Sequence, residues 1–484
     1  MSLKQKTISG VAWNGVGNIA RQVLQILTLI VMARFLSPED FGVYAILMIF
    51  VTFMQIFASM GTAQVVIHLD NPDQEMLSSI FFFNVVVGVF LFLLMYVAAW
   101  PIAWFFDNAS LVHLLQIIGV TFILTTLSLV QKSLLEKSLQ FKRVVSIETI
   151  ALAASSAAGI FAAIKGFGIY SLIIHSLTNA TLLSFGLWVN SHWRPSLVCR
   201  WGDIRQVLNY SLNLTGFSTV NYFARNADTF IIGKFLGASS LGVYSVAYKI
   251  MLYPLENVSR VIVRVLFPAF SSVKNDNIRF KGGYAKAISF IALVTFPLMA
   301  GLLAVSENFV ALVFGDKWEG MAVLLMILAP IGMMQSIIST VGSIYTAKGT
   351  TGLMLRIGSV NAGVAVVSFV VGLPYGVNGI AIAYGVANLS MFYPNLKYAW
   401  DQIGLGVGEG LAKIAPFFLV AVVMAIAVYA QGSWLKSLEL PPLLILSAQI
   451  GVGIIIYVMA LAVFYRKKTL SLLNELKSRK FSAT

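Results

Sequence analysis

Cysteine and charge are what this chain has least of. Cys199 is the only cysteine among 484 residues, so neither an intramolecular disulfide nor a thiolate metal site can form. Charged residues make up 11% of the chain, under half of the roughly 25% usual in soluble domains. Acids are scarcer than bases, 19 against 33, and no stretch gathers carboxylates as a sugar-nucleotide site would. The four histidines, His68, His113, His175 and His192, fall on separate segments, a spacing that offers no metal site. The glycine-rich stretch from Gly404 (GLGVGEG) lacks a following Lys-Ser/Thr pair, so it is no nucleotide-phosphate loop. Polar segments long enough to form a domain outside a membrane are also missing.

Apolar sequence is abundant. Hydrophobic residues account for 58% of the chain, and mean hydropathy is +0.86. They arrive in runs of about 20, the length at which a helix crosses a roughly 30 Å hydrocarbon core. The runs lack the period-two alternation of a transmembrane β-barrel. A soluble enzyme, a secreted disulfide scaffold and a disordered chain are excluded. The pattern predicts an all-α integral membrane protein with about 14 transmembrane helices. They fall over 8–35, 40–66, 76–104, 109–131, 143–164, 168–190, 206–235, 240–270, 284–306, 318–346, 354–373, 377–399, 410–430 and 442–465. The first run is too long for a secretory signal and meets Arg21 rather than a small-residue cleavage site, so it reads as a retained helix.

Basic residues orient these helices. With the N-terminus inside, Lys4, Lys6, Lys132, Lys137, Lys142, Arg143, Arg194, Arg200, Lys281, Lys348, Lys397 and the lysine-rich tail share one side. The other side holds only Arg34, Lys165, Lys234, Lys317 and Lys436. That asymmetry puts both termini in the cytoplasm and accounts for the net charge of +14 without nucleic acid. Over 467–484, Leu470, Leu473 and Leu476 recur at helical spacing among lysines, as in an amphipathic tail on an anionic leaflet.

A shift of 200 positions brings RFLSPEDFGVYA, from Arg34, onto KFLGASSLGVYS, from Lys234. In a second echo Lys137 opens the fifth helix much as Lys348 opens the eleventh, and GFGIYSL from Gly166 resembles GVNGIAIA from Gly376. Six helices separate the copies, an even number, so both insert the same way up, as a parallel repeat does. The expected organisation is two six-helix lobes, 1–200 and 201–400, two added helices over 401–466, and the tail.

Charges inside the spans are costly, roughly 2.5–3.5 kcal/mol each at the bilayer centre, and such residues face a polar interior. Here they are Arg21, Arg225, Lys249, Arg260, Arg264, Glu148, Asp228 and Glu256. Asn14, Asn18, Arg21, Gln22 and Gln25 make one polar stripe on the first helix. Asn213, Ser218, Asn221, Arg225 and Asp228 make another on the seventh. Glu256, Arg260 and Arg264 are spaced four apart on the eighth, where Glu256 and Arg260 form a favourable helical pair.

In order along the chain, ARFLSPEDFGVYA, LLEKSLQFKRVVSIE, VLFPAFSSVKND and the segment from Phe296 to Ala329 resemble a Wzx-like polysaccharide flippase. The likeness is to the exopolysaccharide or colanic-acid exporter type of the multidrug/oligosaccharidyl-lipid/polysaccharide exporter superfamily. It covers the chain to about residue 400. The resemblance implies a transporter rather than an enzyme. Its activity would be translocation of an undecaprenyl-pyrophosphate-linked oligosaccharide from the cytoplasmic to the periplasmic leaflet of a bacterial inner membrane, by alternating access around a cationic cavity. The implied partners are that lipid-linked substrate, membrane lipids and the polysaccharide polymerase machinery. No cofactor is implied beyond a coupled proton or sodium ion.

Guanidinium groups bind phosphate oxygens with bidentate geometry. Arg21 and Arg225 are therefore the first headgroup candidates, followed by Arg260, Arg264 and Lys249, with Gln22, Gln25 and Asn221 beside them. Asp228 is the preferred ion-coupling acid and Glu256 the second; Glu148, close to the inner interface, ranks third. A cation-coupled multidrug-type antiporter is the alternative, although bases outnumber acids in the spans. A membrane polymerase or glycosyltransferase would need a large outer loop that is missing.

Overall fold

The structure is a computed structural model that describes residues 3–59, 62–68, 72–202, 204, 222, 225–263, 270, 271, 273 and 275–465. Every regular element among them is helical. Packing divides the chain into two compact units, 1–242 and 243–484.

The first unit contains α1 (Leu3–Phe35), α2 (Pro38–Ser59), α3 (Thr62–His68), α4 (Gln74–Phe105), α5 (Ser110–Thr126), α6 (Leu129–Lys137), α7 (Phe141–Ile164), α8 (Tyr170–Asn190) and α9 (Ala227–Phe235). It ends in the opening turns of α10 (Gly237–Pro254). Asp73 starts α4 by accepting the Met76 amide at 2.7 Å, which satisfies one of the orphan donors of a helix N-terminus. The core lies where α4 packs on α5 and α7 packs on α8 and α1. Leu111, Leu115, Ile118 and Phe122 are fully buried there.

The second unit continues from α10 through a π turn (Leu255–Ser259) into α11 (Asn277–Val313), α12 (Gly320–Ile338), α13 (Val341–Lys348), α14 (Thr351–Gly372), α15 (Gly376–Asp401), α16 (Val407–Ser437) and α17 (Pro442–Phe464). α11 is its central post, packed against α12, α16 and α17, and Trp318 and Trp400 are completely buried. Outward faces are apolar in both units, with Val86, Phe90, Val97, Val367, Val371, Ile454 and Val458 exposed. A water-soluble protein does not leave so much apolar surface uncovered; a lipid-facing one does.

Ten stretches among the described residues are long and apolar enough to cross a membrane, against an expectation of about 14 helices. One of the ten, Thr351–Asp401, holds both α14 and α15. α1 is long enough at 33 residues, but Asn18, Arg21, Gln22 and Gln25 dilute its hydropathy. The expected spans 206–235 and 240–270 fall partly outside the described residues, and the tail over 467–484 wholly so.

Two expected spans are interrupted. The run read as 109–131 stops at Thr126, and α6 begins after a turn at Leu127 and Ser128. Trp188 on α8 donates its indole N–H to the Leu127 carbonyl at 2.8 Å, and the Ser128 hydroxyl bonds back to Thr125 at 3.0 Å. Both bonds draw carbonyls out of the helical ladder. The run read as 318–346 breaks in the same way between α12 and α13. There the Thr340 hydroxyl bonds back to Ile337 at 2.7 Å and meets the Tyr284 hydroxyl at 2.7 Å. The two short helices that follow end at Lys137 and Lys348, the residues paired by the sequence echo. Gly166 and Gly376, also paired by it, both adopt positive φ (80° and 72°), a conformation open to glycine at no steric cost.

Where α2 crosses the start of α10, two pairs of positions 200 apart, 38/238 and 42/242, meet reciprocally. A side chain on Gly42 would strike the Ala238 carbonyl, and one on Gly242 would strike the Pro38 carbonyl.

Candidate functional site

In the first unit, α1 and α7 run parallel in a fixed register. Gly17 packs on Val145, Arg21 bonds Glu148, Thr28 meets Ser156 at 2.8 Å, and Met32 packs on Gly159. Glycines at both ends let the helices approach closely, as small residues do where apolar helices associate in membranes. The register carries charges into apparent apolar territory. Arg21 donates one guanidinium nitrogen to Glu148 and another to the Asn18 side-chain oxygen. Lys132, on α6, reaches the other oxygen of the same Glu148 carboxylate at 2.7 Å, with Glu136 4.0 Å away.

Two cations thus converge on one carboxylate, one on each oxygen. The side chains of Arg21, Glu148 and Lys132 keep 19%, 21% and 35% of their exposure. They are sheltered from bulk water yet reachable. Gln22 is half-buried and Gln25 exposed on the same helix. Nearer the start of α7, the Lys142 ammonium lies 4.7 Å from the centre of the Trp13 ring.

Lys132 was not among the site residues expected from sequence, and Glu148 ranked low. The available signal was a base on α1, with a base on α6 and an acid on α7 at matching depth. Which helix faces bring them together depends on packing.

Arg225 is exposed just ahead of α9. Asp228, in the first turn of α9, is buried at 7% exposure. Its carboxylate accepts the Thr229 amide at 2.7 Å and the Thr229 hydroxyl at 3.2 Å, a favourable place for negative charge near a helix N-terminus. Asn221 and Arg264, both expected substrate contacts, and Asn213 and Ser218 of the second polar stripe lie outside the described residues.

In the second unit Lys249 is exposed on α10. Pro254 lacks the N–H a helix interior needs, and the π turn Leu255–Ser259 follows it directly. That turn presents Glu256, which accepts from Arg260 at 2.9 Å. Farther along, Gln335 on α12 donates to the Tyr384 hydroxyl at 2.7 Å, and Tyr384 also contacts Tyr248 and Phe369. Among the described residues no cluster of three or more His, Cys, Asp or Glu side chains offers a metal site.

A family model described as "Polysaccharide biosynthesis protein" matches residues 31–323. The chain belongs to this family. A relative of this polysaccharide biosynthesis protein is the lipopolysaccharide biosynthesis protein WzxC of Escherichia coli K12. The two are 27% identical over 358 residues, which cover 74% of this chain and 73% of WzxC. Among solved structures, the lipid II flippase MurJ in an inward closed conformation superposes with a TM-score of 0.77 at 17% identity, covering 95% of this chain and all of MurJ. An inward-facing multidrug resistance MATE family transporter of the MOP superfamily gives 0.62 at 13% identity, covering 80% of this chain and 98% of its own. Those two likenesses give the fold. This polysaccharide biosynthesis protein is therefore an all-α, multi-pass membrane protein that shares the fold of MurJ and the MATE transporter.

Proposed function

We propose that this protein is a flippase that moves an undecaprenyl-diphosphate-linked oligosaccharide unit from the cytoplasmic to the outer leaflet of a bacterial inner membrane. It does so by exposing its binding groups to each side in turn, with both termini in the cytoplasm. The observation that carries the reading is the convergence of Arg21 and Lys132 inside a set of apolar helices, sheltered but reachable. A lipid-linked diphosphate brings at least two negative charges to such a place, and a guanidinium with an ammonium supplies the matching donors.

In this reading Arg225 and Lys249, both exposed, are further contacts for the headgroup or first sugars, as are Gln22 and Gln25. Of the two expected coupling acids, Asp228 fits better: it is buried, whereas Glu256 is tied to Arg260 four residues along the same helix. The excess of bases also favours an anionic cargo over the cationic drugs of an antiporter. The test is chemical. Deletion should strand complete repeat units on their lipid carrier at the cytoplasmic face. Arg21→Ala or Arg225→Ala should abolish polymer export at unchanged membrane abundance. Accumulation of units already outside, or normal export by both variants, would refute the reading.

A further inference from the structure

The ion cluster on α1, α6 and α7 has an acid that a binding site for anions would not be expected to hold. Glu148 occupies both cations at once, Arg21 through one oxygen and Lys132 through the other. We propose that Glu148 is a resident counter-anion which the substrate's diphosphate displaces, Arg21 and Lys132 exchanging its two oxygens for phosphate oxygens. The proposal rests on the flippase reading above and adds a residue that sets which anions succeed.

The geometry supports an exchange of side-chain partners without helix movement. Gly17 on Val145 and Thr28 on Ser156 pin the α1–α7 register on either side of the cluster, so Arg21 stays where it is when its partner changes. Asn18 holds a second guanidinium nitrogen, which keeps the planar group aimed while the first nitrogen changes acceptor. Glu136, 4.0 Å from Lys132, remains to balance the ammonium. All four charged groups are reachable, with 19–35% of their side-chain surface open.

A carboxylate in this position does two things that an empty pair of cations would not. It spares the protein two uncompensated charges among apolar helices, which are costly. It also sets a threshold. Abundant monoanionic phospholipid headgroups must compete with a carboxylate already in place, and only a ligand with more charge and more acceptor oxygens wins. Discrimination arises from this difference in affinities. As the lipid leaves, Glu148 competes for both cations and so speeds release.

The experiment uses the full-length protein in nanodiscs, with undecaprenyl diphosphate, undecaprenyl monophosphate and phosphatidylglycerol as probes and inorganic pyrophosphate as a soluble competitor. Glu148→Gln should bind the diphosphate lipid about tenfold tighter, equivalent to one charge-assisted contact no longer contested. It should also lose part of its preference for diphosphate over monophosphate, and flip more slowly in proteoliposomes because release is slower. Competition by inorganic pyrophosphate, strengthened in Glu148→Gln, assigns the gain to headgroup chemistry rather than to the polyprenyl chain. Glu148→Asp, which keeps the charge but shortens its reach, should fall between wild type and Glu148→Gln, and serves if the glutamine variant does not fold. Folded variants that bind the diphosphate no tighter than wild type overturn the proposal. If the wild type binds it and Arg21→Ala does not, that result leaves the flippase reading standing. A wild type that prefers neither phosphate lipid over phosphatidylglycerol overturns both.

Discussion

Replacing Gly42 or Gly242 with alanine is the sharpest test of how the first unit is put together. Both lie in helices, and in an open helical position the change would stabilise by about 1 kcal/mol. Here the added methyl meets backbone. At Gly42 it falls inside contact of the Ala238 carbonyl oxygen and 2.9 Å from the Gly242 nitrogen. At Gly242 it falls on the Pro38 carbonyl and 3.0 Å from the Gly42 nitrogen. Ordinary contacts of this kind are 3.4–4 Å, and a carbonyl in a helical ladder cannot swing aside as a side chain can. The helices must part, at an overpacking cost of about 1–3 kcal/mol together with dispersion lost across the widened crossing. Gly451 on α17 is the control, since nothing lies within 4 Å of the added atom. Thermal unfolding of the detergent-solubilised protein, followed by tryptophan fluorescence, should place Gly42→Ala below wild type and Gly451→Ala at or above it. One separation of the helices relieves both clashes, so the double variant should cost less than the sum of the singles by at least about 0.5 kcal/mol. Equal stability of Gly42→Ala and Gly451→Ala, or strict additivity at the crossing, would show that the backbones do not meet there.

Two further expectations concern other parts of the first unit. Thr28→Val and Ser156→Ala remove the two hydroxyls that meet across α1 and α7 at 2.8 Å. A double-mutant cycle should give a coupling near 0.6 kcal/mol, typical of side-chain hydrogen bonds between membrane helices, and zero coupling would contradict the register. Cys199 is exposed and is the only cysteine. A membrane-impermeant maleimide should label it in inverted vesicles and leave it unmodified in right-side-out ones; the opposite pattern would invert the proposed topology.

What could be read from the sequence, and what could not, divides along physical lines. Apolar run length is set by the bilayer, so the multi-pass class follows from composition alone. The paired echoes at Lys137/Lys348 and Gly166/Gly376 mark local conformations that depend on few neighbours: Lys137 and Lys348, expected to open helices, both close a short one, and Gly166 and Gly376 both take positive φ. The breaks after Thr126 and Ile338 were not legible because tertiary bonds hold them: Trp188 reaches Leu127 from 61 residues away, and Tyr284 reaches Thr340 from 56. The site divides in the same way. A polar stripe announces that one face of α1 avoids lipid, and Arg21 stands out on it. It does not say which neighbour that face meets, since the rotational phase of α1 against α7 is decided by where glycines admit close approach. With Gly17 on Val145, the next turn of α1 brings Arg21 onto Glu148, one turn beyond Val145 on α7. An acid placed close to the inner interface thereby becomes the partner of the most conspicuous base. Depth along a helix does not say which base an acid meets; the close contact that fixes the register does.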